Sequence, residues 1–309
     1  MVSKKILILG VTASGKGSLA FELAKRLDGE IISVDSMKVY RRMDIGTAKP
    51  PADKRRQMPY HLIDVVEPSE AFSVDRFLEL TDAAVGQIQA AGKQVVAVGG
   101  TAMYIKALLH GLFEGPASDA EIRRRLTEQI AQNGLAALHQ RLLQIDPAAA
   151  ERIHPNDLRR IVRALEVFEL TGKPITALQK QWETDAAEDW FVIGLRRPKD
   201  IESTRINSRV KRMVDEGLLG EVKALLAEPQ PLSKQARAAI GYAEVIDHLE
   251  GKCSYEEAVE QIKINTRKFA KAQRTWFKTF RNVRCWININ ESDTLQTVTE
   301  AAIHLWNDR

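Results

Sequence analysis

The run Gly10-Val11-Thr12-Ala13-Ser14-Gly15-Lys16-Gly17-Ser18, directly behind the apolar stretch Ile6-Leu7-Ile8-Leu9, constrains this chain more than any other segment. It leads into Leu19, Ala20, Leu23, Ala24 and Leu27 at helical spacing, which predicts a strand, a tight loop and a helix start. Glycines in such a loop let backbone N–H groups turn toward phosphate oxygens, and a lysine adds charge at the positive end of the helix. Gly10, Val11, Thr12, Ala13, Ser14, Gly15, Lys16 and Gly17 are therefore the candidate phosphate cradle. The pattern G-x-x-x-x-G-K-[ST] is complete except at its last position, where Gly17 stands in place of the hydroxyl that would hold Mg²⁺. Ser18, Thr12 and Ser14 are nearby substitutes as a metal ligand, although Ser18 projects in another direction around the helix.

Further short apolar runs, Ile31 to Val34, Val95 to Val98 and Phe191 to Leu195, alternate with helical stretches, and Val283 to Ile287 supplies a late strand. This alternation predicts an α/β fold, a P-loop NTPase-like parallel sheet core covered by helices and drawing on both ends of the chain. Between Gly115-Pro116 and about Asp189 no strand-like run occurs, while Ile122, Leu126, Ile130 and Leu158, Ile161, Leu165, Phe168 repeat at helical spacing. Residues 1–114 and 190–309 are thus expected to form the core, and 115–189 an inserted all-helical domain.

Charge is nearly balanced, 45 basic against 41 acidic residues, so any nucleic-acid contact must come from local clusters. Cys253 and Cys285 lie far apart without zinc-ligand spacing. No run approaches the roughly 18 apolar residues of a membrane span, and the chain passes from Met1 to its first strand without room for a signal peptide. A cytoplasmic protein without a membrane partner is expected.

Asp35, in Ser33-Val34-Asp35-Ser36, ends the second predicted strand, where ligands bind in open α/β sheets. It reads equally as a general base or substrate anchor and as a turn or helix cap. The strand Val95 to Val98 ends in Gly99-Gly100-Thr101, not in the aspartate by which nucleotide-hydrolysing P-loop proteins hold Mg²⁺. Together with Gly17 this weakens a hydrolase reading and suggests that the phosphates belong to a leaving group. Lys263, Arg267, Lys268, Lys271, Arg274, Lys278, Arg281 and Arg284 form a basic stretch with no acid among them. On a helix, Arg267, Lys271 and Arg274 would form a cationic ridge for phosphate contacts, with Phe269, Gln273, Trp276 and Phe280 on the packing face. Arg123-Arg124-Arg125 and Arg159-Arg160 with Arg163 could extend that footprint.

Several segments, in order, resemble motifs of the tRNA dimethylallyltransferase (tRNA isopentenyltransferase) family. They are the Gly10–Lys16 loop, Ser33 to Ser36, Met43-Asp44-Ile45-Gly46-Thr47-Ala48-Lys49-Pro50, Val98 to Thr101, His154-Pro155-Asn156-Asp157, Ile161 to Val167, Ile240-Gly241-Tyr242 and Thr266 to Phe277. The resemblance covers nearly the whole chain. It implies transfer of a dimethylallyl group from dimethylallyl diphosphate to N6 of the adenosine beside the anticodon of certain tRNAs, with Mg²⁺ as cofactor. By resemblance, Asp35 is the base, Lys16 steadies the diphosphate, and Thr101 lies beside both substrates. The family's tRNA contacts map onto Asp35, Ser36, Met37, Lys38, Thr101, Arg123, Arg159, Arg160, Ile161, Val162, Arg163, Arg237, Gly241 and Tyr242. The expected partners are the anticodon stem-loop of tRNA and the donor, bound by a monomer. The alternatives are a P-loop small-molecule kinase, in which the loop takes ATP and Asp35 deprotonates a hydroxyl, and a catalytically weakened RNA-binding paralogue, which Gly17 keeps open.

Overall fold

The computed structural model describes residues 4–112, 115–179 and 189–308. In chain order, the elements are β1 (Lys5–Gly10), α1 (Lys16–Arg26), β2 (Gly29–Val34), α2 (Ala52–Gln57), β3 (Tyr60–His61), α3 (Val74–Ala90), β4 (Gln94–Gly99) and α4 (Ala102–His110). There follow α5 (Ala120–Ile145), α6 (Pro147–Arg152), α7 (Leu158–Thr171) and α8 (Ile175–Leu178). The chain closes with β5 (Trp190–Arg196), α9 (Lys199–Asp215), α10 (Leu218–Leu226), α11 (Lys234–Arg237), α12 (Tyr242–Leu249), α13 (Tyr255–Phe277), β6 (Cys285–Asn288) and α14 (Leu295–Asn307). No described helix is long and apolar enough to cross a membrane.

The chain divides into two compact units, one holding the described residues of Met1–Leu109 and Ala186–Arg309, the other those of His110–Asp185. The expected borders of the insertion adjoin residues 113–114 and 180–188, which lie outside the described residues.

In the first unit all strands run parallel in the order β3-β2-β4-β1-β5-β6. Strand β1 is central because Ile6, Leu7, Ile8 and Leu9 are all fully buried, apolar on both faces as a parallel strand under helices must be. Ile8 pairs with Val98 of β4 on one side and Ile193 of β5 on the other, which brings the C-terminal ends of the three strands together. One face is sealed by Leu19, Leu23 and Ala24 of α1 with Val298, Ala302 and Trp306 of α14. The other is sealed by side chains of α3, α4, α9, α10, α12 and α13, among them Phe77, Ile105, Val210, Val222 and Ile262. Each such aliphatic side chain contributes about 1.5–3 kcal/mol by leaving water.

The Asp44–Pro50 segment is a structural buckle. Glu221 of α10 accepts hydrogen bonds from the N–H groups of Asp44 (2.9 Å), Ile45 (2.8 Å) and Gly46 (3.2 Å), and from the Tyr242 hydroxyl (2.6 Å). Lys49, buried, donates to Asp44 (2.7 Å), Asp64 (2.5 Å) and the Tyr40 carbonyl. A Cβ at Gly46 would stand 2.4 Å from the ring of Tyr242, which is fully buried and held by its hydroxyl. Gly46→Ala is therefore expected to cost about 1–3 kcal/mol through overpacking, read as a lower denaturant midpoint at unchanged slope.

In the second unit only helices occur among the described residues, packed through Ile122, Leu126, Leu138, Leu142, Ile161 and Leu165. The His154–Asp157 segment has a local role there: Asp157 caps α7 by accepting from the Arg160 N–H (3.2 Å).

Candidate anion-binding active site

Strand β1 ends in a loop that wraps the N-terminus of α1. Gly15 adopts φ 98°, a left-handed conformation that a residue with a Cβ would hold only under strain. The N–H groups of Ser18 and Leu19 both fold back on the Gly15 carbonyl. Those of Gly15, Lys16 and Gly17 find no acceptor among the described residues, so the loop keeps free donors for an anion.

Three arginines brace this loop from the other side. Arg197, just past β5, donates to the Ser14 carbonyl (2.9 Å); Arg205 of α9 donates to the Ala13 carbonyl (2.9 Å); Arg209, one turn on, donates to Thr12 Oγ1 (2.9 Å). Lys16 itself donates to the Val11 carbonyl (3.2 Å). Charge is crowded here without matching acid. Burial, then Arg209 and Lys38, push the Lys16 ammonium down to about 7, against a smaller opposing pull from Asp35. Lys38 is also lowered, first by burial, then by Arg209 and Lys49. Burial and neighbouring arginines lower Arg197 and Arg209 as well. Such a field costs energy in the free protein and is relieved by a bound polyanion.

The Lys16 value sets a pH dependence. Its ammonium is depressed from 10.5 to about 7, so the cation dominates below pH 7 and is lost above it. A bound anion favours the cation, so binding takes up a proton above pH 7. The affinity for inorganic diphosphate should accordingly fall up to about tenfold per pH unit above 7. Calorimetry in buffers of different ionisation heat measures this, and Lys16→Met should flatten it.

Asp35 follows β2 and faces the same crevice. Its Oδ1 accepts from the N–H groups of Met37 (2.9 Å) and Lys38 (3.3 Å), while Oδ2 receives no hydrogen bond among the described residues. One oxygen thus caps a turn, and the other is unbonded among the described residues. Thr101 Oγ1 accepts from the Ser36 N–H (3.1 Å), which fixes the Asp35 turn against the end of β4. A Cβ at Gly17 would meet nothing within 4 Å, so the position is open.

The expected magnesium finds a poor donor set. Gly17 offers no side-chain oxygen, Ser18 is exposed, and Thr12 Oγ1 is taken by Arg209. Ser14 Oγ is the one loop hydroxyl buried without a hydrogen bond among the described residues, and Asp35 is the one carboxylate acting on Lys16. Among the described residues no group of three or more His, Cys, Asp or Glu is placed to share an ion. These residues do not fit a magnesium held by the protein alone.

Several residues expected to meet RNA or phosphate have other partners. Ile161 and Tyr242 are fully buried, so their side chains belong to the core and only their backbones could meet RNA. Val162 is half-buried against the helical unit's core, and Gly241 caps α12 with its N–H on Glu244 (2.6 Å). Buried Glu166 accepts two hydrogen bonds from Arg123 (2.8 and 3.0 Å) and one from Arg163 (2.6 Å). Arg124 pairs with Glu121 and Glu128, and Arg125 with Glu169. Arg160 reaches Asp157 at 3.4 Å, and Arg237 pairs with Glu250. Arg159 is exposed and has no ion pair among the described residues.

On α13, Arg274 pairs with buried Glu202 of α9, and Arg267 bonds Asn207 (2.7 Å) and Glu260. Arg274 is therefore a structural counter-ion, since removing it would strand a buried carboxylate. Lys271, Lys278 and Arg281 remain exposed without an acidic partner among the described residues. Gln273 is buried as expected, but Phe269, expected on the same packing face, is 43% exposed, because that face runs through Ala270, Gln273 and Phe277.

The sequence model described as IPP transferase matches residues 38–280. The chain belongs to the IPP transferase family. A tRNA dimethylallyltransferase of Geobacter metallireducens is 46% identical over 277 residues, covering 89% of this chain and 90% of its own length. One from Geobacter sulfurreducens is 43% identical over 96% of each chain. The solved full-length tRNA isopentenylpyrophosphate transferase of Bacillus halodurans superposes with a TM-score of 0.71 at 39% identity, covering 99% of this chain and 97% of its own. A eukaryotic dimethylallyltransferase, solved acting on tRNA, gives a TM-score of 0.84 at 27% identity and covers 99% of this chain and 80% of its own.

In this IPP transferase the structure brings together the loop, Asp35 and Thr101, all expected from the sequence, and adds Arg197, Arg205 and Arg209, which were not expected. A signal was present: Arg197 directly follows an apolar strand at its ligand end, and Arg205 and Arg209 lie four apart on the next helix.

Proposed function

We propose that this protein transfers a dimethylallyl group from dimethylallyl diphosphate to N6 of the adenosine beside the anticodon of tRNA. The observation that carries the reading is the cluster Lys16, Arg197, Arg205 and Arg209 on a loop with free N–H groups, opposite a single carboxylate. As N6 bonds to C1 of the dimethylallyl group, the C1–O bond breaks and its electron pair leaves on the diphosphate. Fixed cations and loop amides stabilise charge developing on that leaving group. The proton released from N6 passes to Asp35, whose Oδ2 receives no hydrogen bond among the described residues. An adenine amino group is reachable only when the base is turned out of its stack, which an RNA loop permits cheaply. Arg159 and Lys271, exposed and unpaired among the described residues, are proposed contacts to the RNA backbone.

The test offers unmodified tRNA together with either dimethylallyl diphosphate labelled in the prenyl group or ATP labelled in the γ-phosphate. Label should enter the tRNA from the first and not from the second; phosphoryl transfer from ATP would favour a kinase.

A further inference from the structure

Gln273 of α13 lies at the centre of the site, yet nothing in the chemistry above uses it. It is 4% exposed, and its two polar atoms reach two different loops. Oε1 accepts from the Thr12 N–H of the phosphate loop at 2.8 Å, and Nε2 donates to the Gly100 carbonyl behind β4 at 2.7 Å. The amide's orientation is fixed, since a backbone N–H can only donate and a carbonyl only accept. A buried amide is costly unless both ends are satisfied, so packing alone is a poor reason for glutamine here. Gly100 is explained by the same contact, because a Cβ there would stand 2.5 Å from Nε2 and displace it.

We infer that Gln273 is a positioning residue for the transfer, its carboxamide clasping the phosphate loop to the Gly99-Gly100-Thr101 turn and so setting the distance between diphosphate cradle and base. The inference rests on the proposed donor site. A continuous chain follows from the clasp: Thr12 to Gln273, Gln273 to Gly100, and then Thr101, whose hydroxyl holds the Ser36 N–H beside Asp35. Cleavage of the C1–O bond and removal of the N6 proton must coincide in one geometry, and a misplacement of about 1 Å costs on the order of 10²-fold in rate. With its N–H spent on Gln273, Thr12 leaves anion binding to Gly15, Lys16 and Gly17.

Two variants separate positioning from packing. Gln273→Met fills similar volume without hydrogen bonds; Gln273→Asn is one methylene short but keeps an amide able to reach one partner. Positioning predicts that kcat falls about 10²-fold in Gln273→Met and less in Gln273→Asn, with tRNA affinity unchanged in both. Packing predicts the reverse order, because the apolar chain fills the site and the shorter one leaves a gap. The inference is overturned if Gln273→Met keeps wild-type kcat or exceeds Gln273→Asn. Inorganic diphosphate binding to the wild type is measured alongside. If the wild type does not bind it, the donor-site reading falls and takes this inference with it; if it does and the order is reversed, only the clasp is rejected.

Discussion

The Asp35→Asn variant is expected to lose about 10²–10⁴-fold in transfer rate, the usual weight of a positioned general base, while its tRNA affinity stays close to wild type. The substitution is chosen for what it leaves in place. An asparagine Oδ1 can still accept from the Met37 and Lys38 N–H groups, so the turn behind β2 keeps its cap and Ser36 stays on Thr101. What changes is the second oxygen, which receives no hydrogen bond among the described residues and becomes an NH₂ that cannot take a proton. Single-turnover kinetics with saturating donor and tRNA isolate the chemical step. Transfer at the wild-type rate would remove Asp35 from the role of base.

Arg209→Met should be nearly as damaging, by about 10²–10³-fold in kcat if the guanidinium meets charge that develops on the leaving diphosphate. Arg209 fastens α9 to Thr12 and is held below its ordinary basicity by burial and by Arg212 and Arg205. A second consequence does not depend on activity. Arg209 is the largest charge depressing Lys16. Removing that positive neighbour favours the Lys16 cation, so its titration must move up from about 7 toward the ordinary lysine range. The pH at which diphosphate affinity begins to fall should rise with it. An unshifted profile in a folded variant would show that the two charges do not share a site.

The parts of the fold legible in the sequence are those with local physical signals. Burial on both faces makes β1, β2, β4 and β5 continuous apolar runs, and glycine punctuation gives the phosphate loop. Strand β3 escaped because Tyr60–His61 is too short to show a period, and β6 begins at Cys285, later than the apolar run starting at Val283 suggests.

The site divides along the same line. Gly10 to Lys16 and Asp35 carry signals local in sequence; Arg209 and Gln273 reach the loop across 197 and 261 residues, a separation that no window can see. Basic clusters hide their partners for the converse reason. Arg123 and Arg163 look free until Glu166 is brought beneath them, and Arg274 until Glu202 is. Asp-Ile-Gly-Thr-Ala-Lys-Pro carries family identity, yet its contacts here are structural, with Glu221, Tyr242 and Asp64 as partners.

The central claim is that the phosphate loop holds a prenyl leaving group while Asp35 takes a proton from an RNA base. The most direct measurement incubates the protein with unmodified tRNA and prenyl-labelled dimethylallyl diphosphate, digests the RNA and identifies the labelled nucleoside. The predicted product is adenosine bearing the dimethylallyl group on N6, at the position 3′ of the anticodon, formed one-to-one with released diphosphate. Label on free adenylate, on another position of the tRNA, or nowhere in the RNA would contradict it.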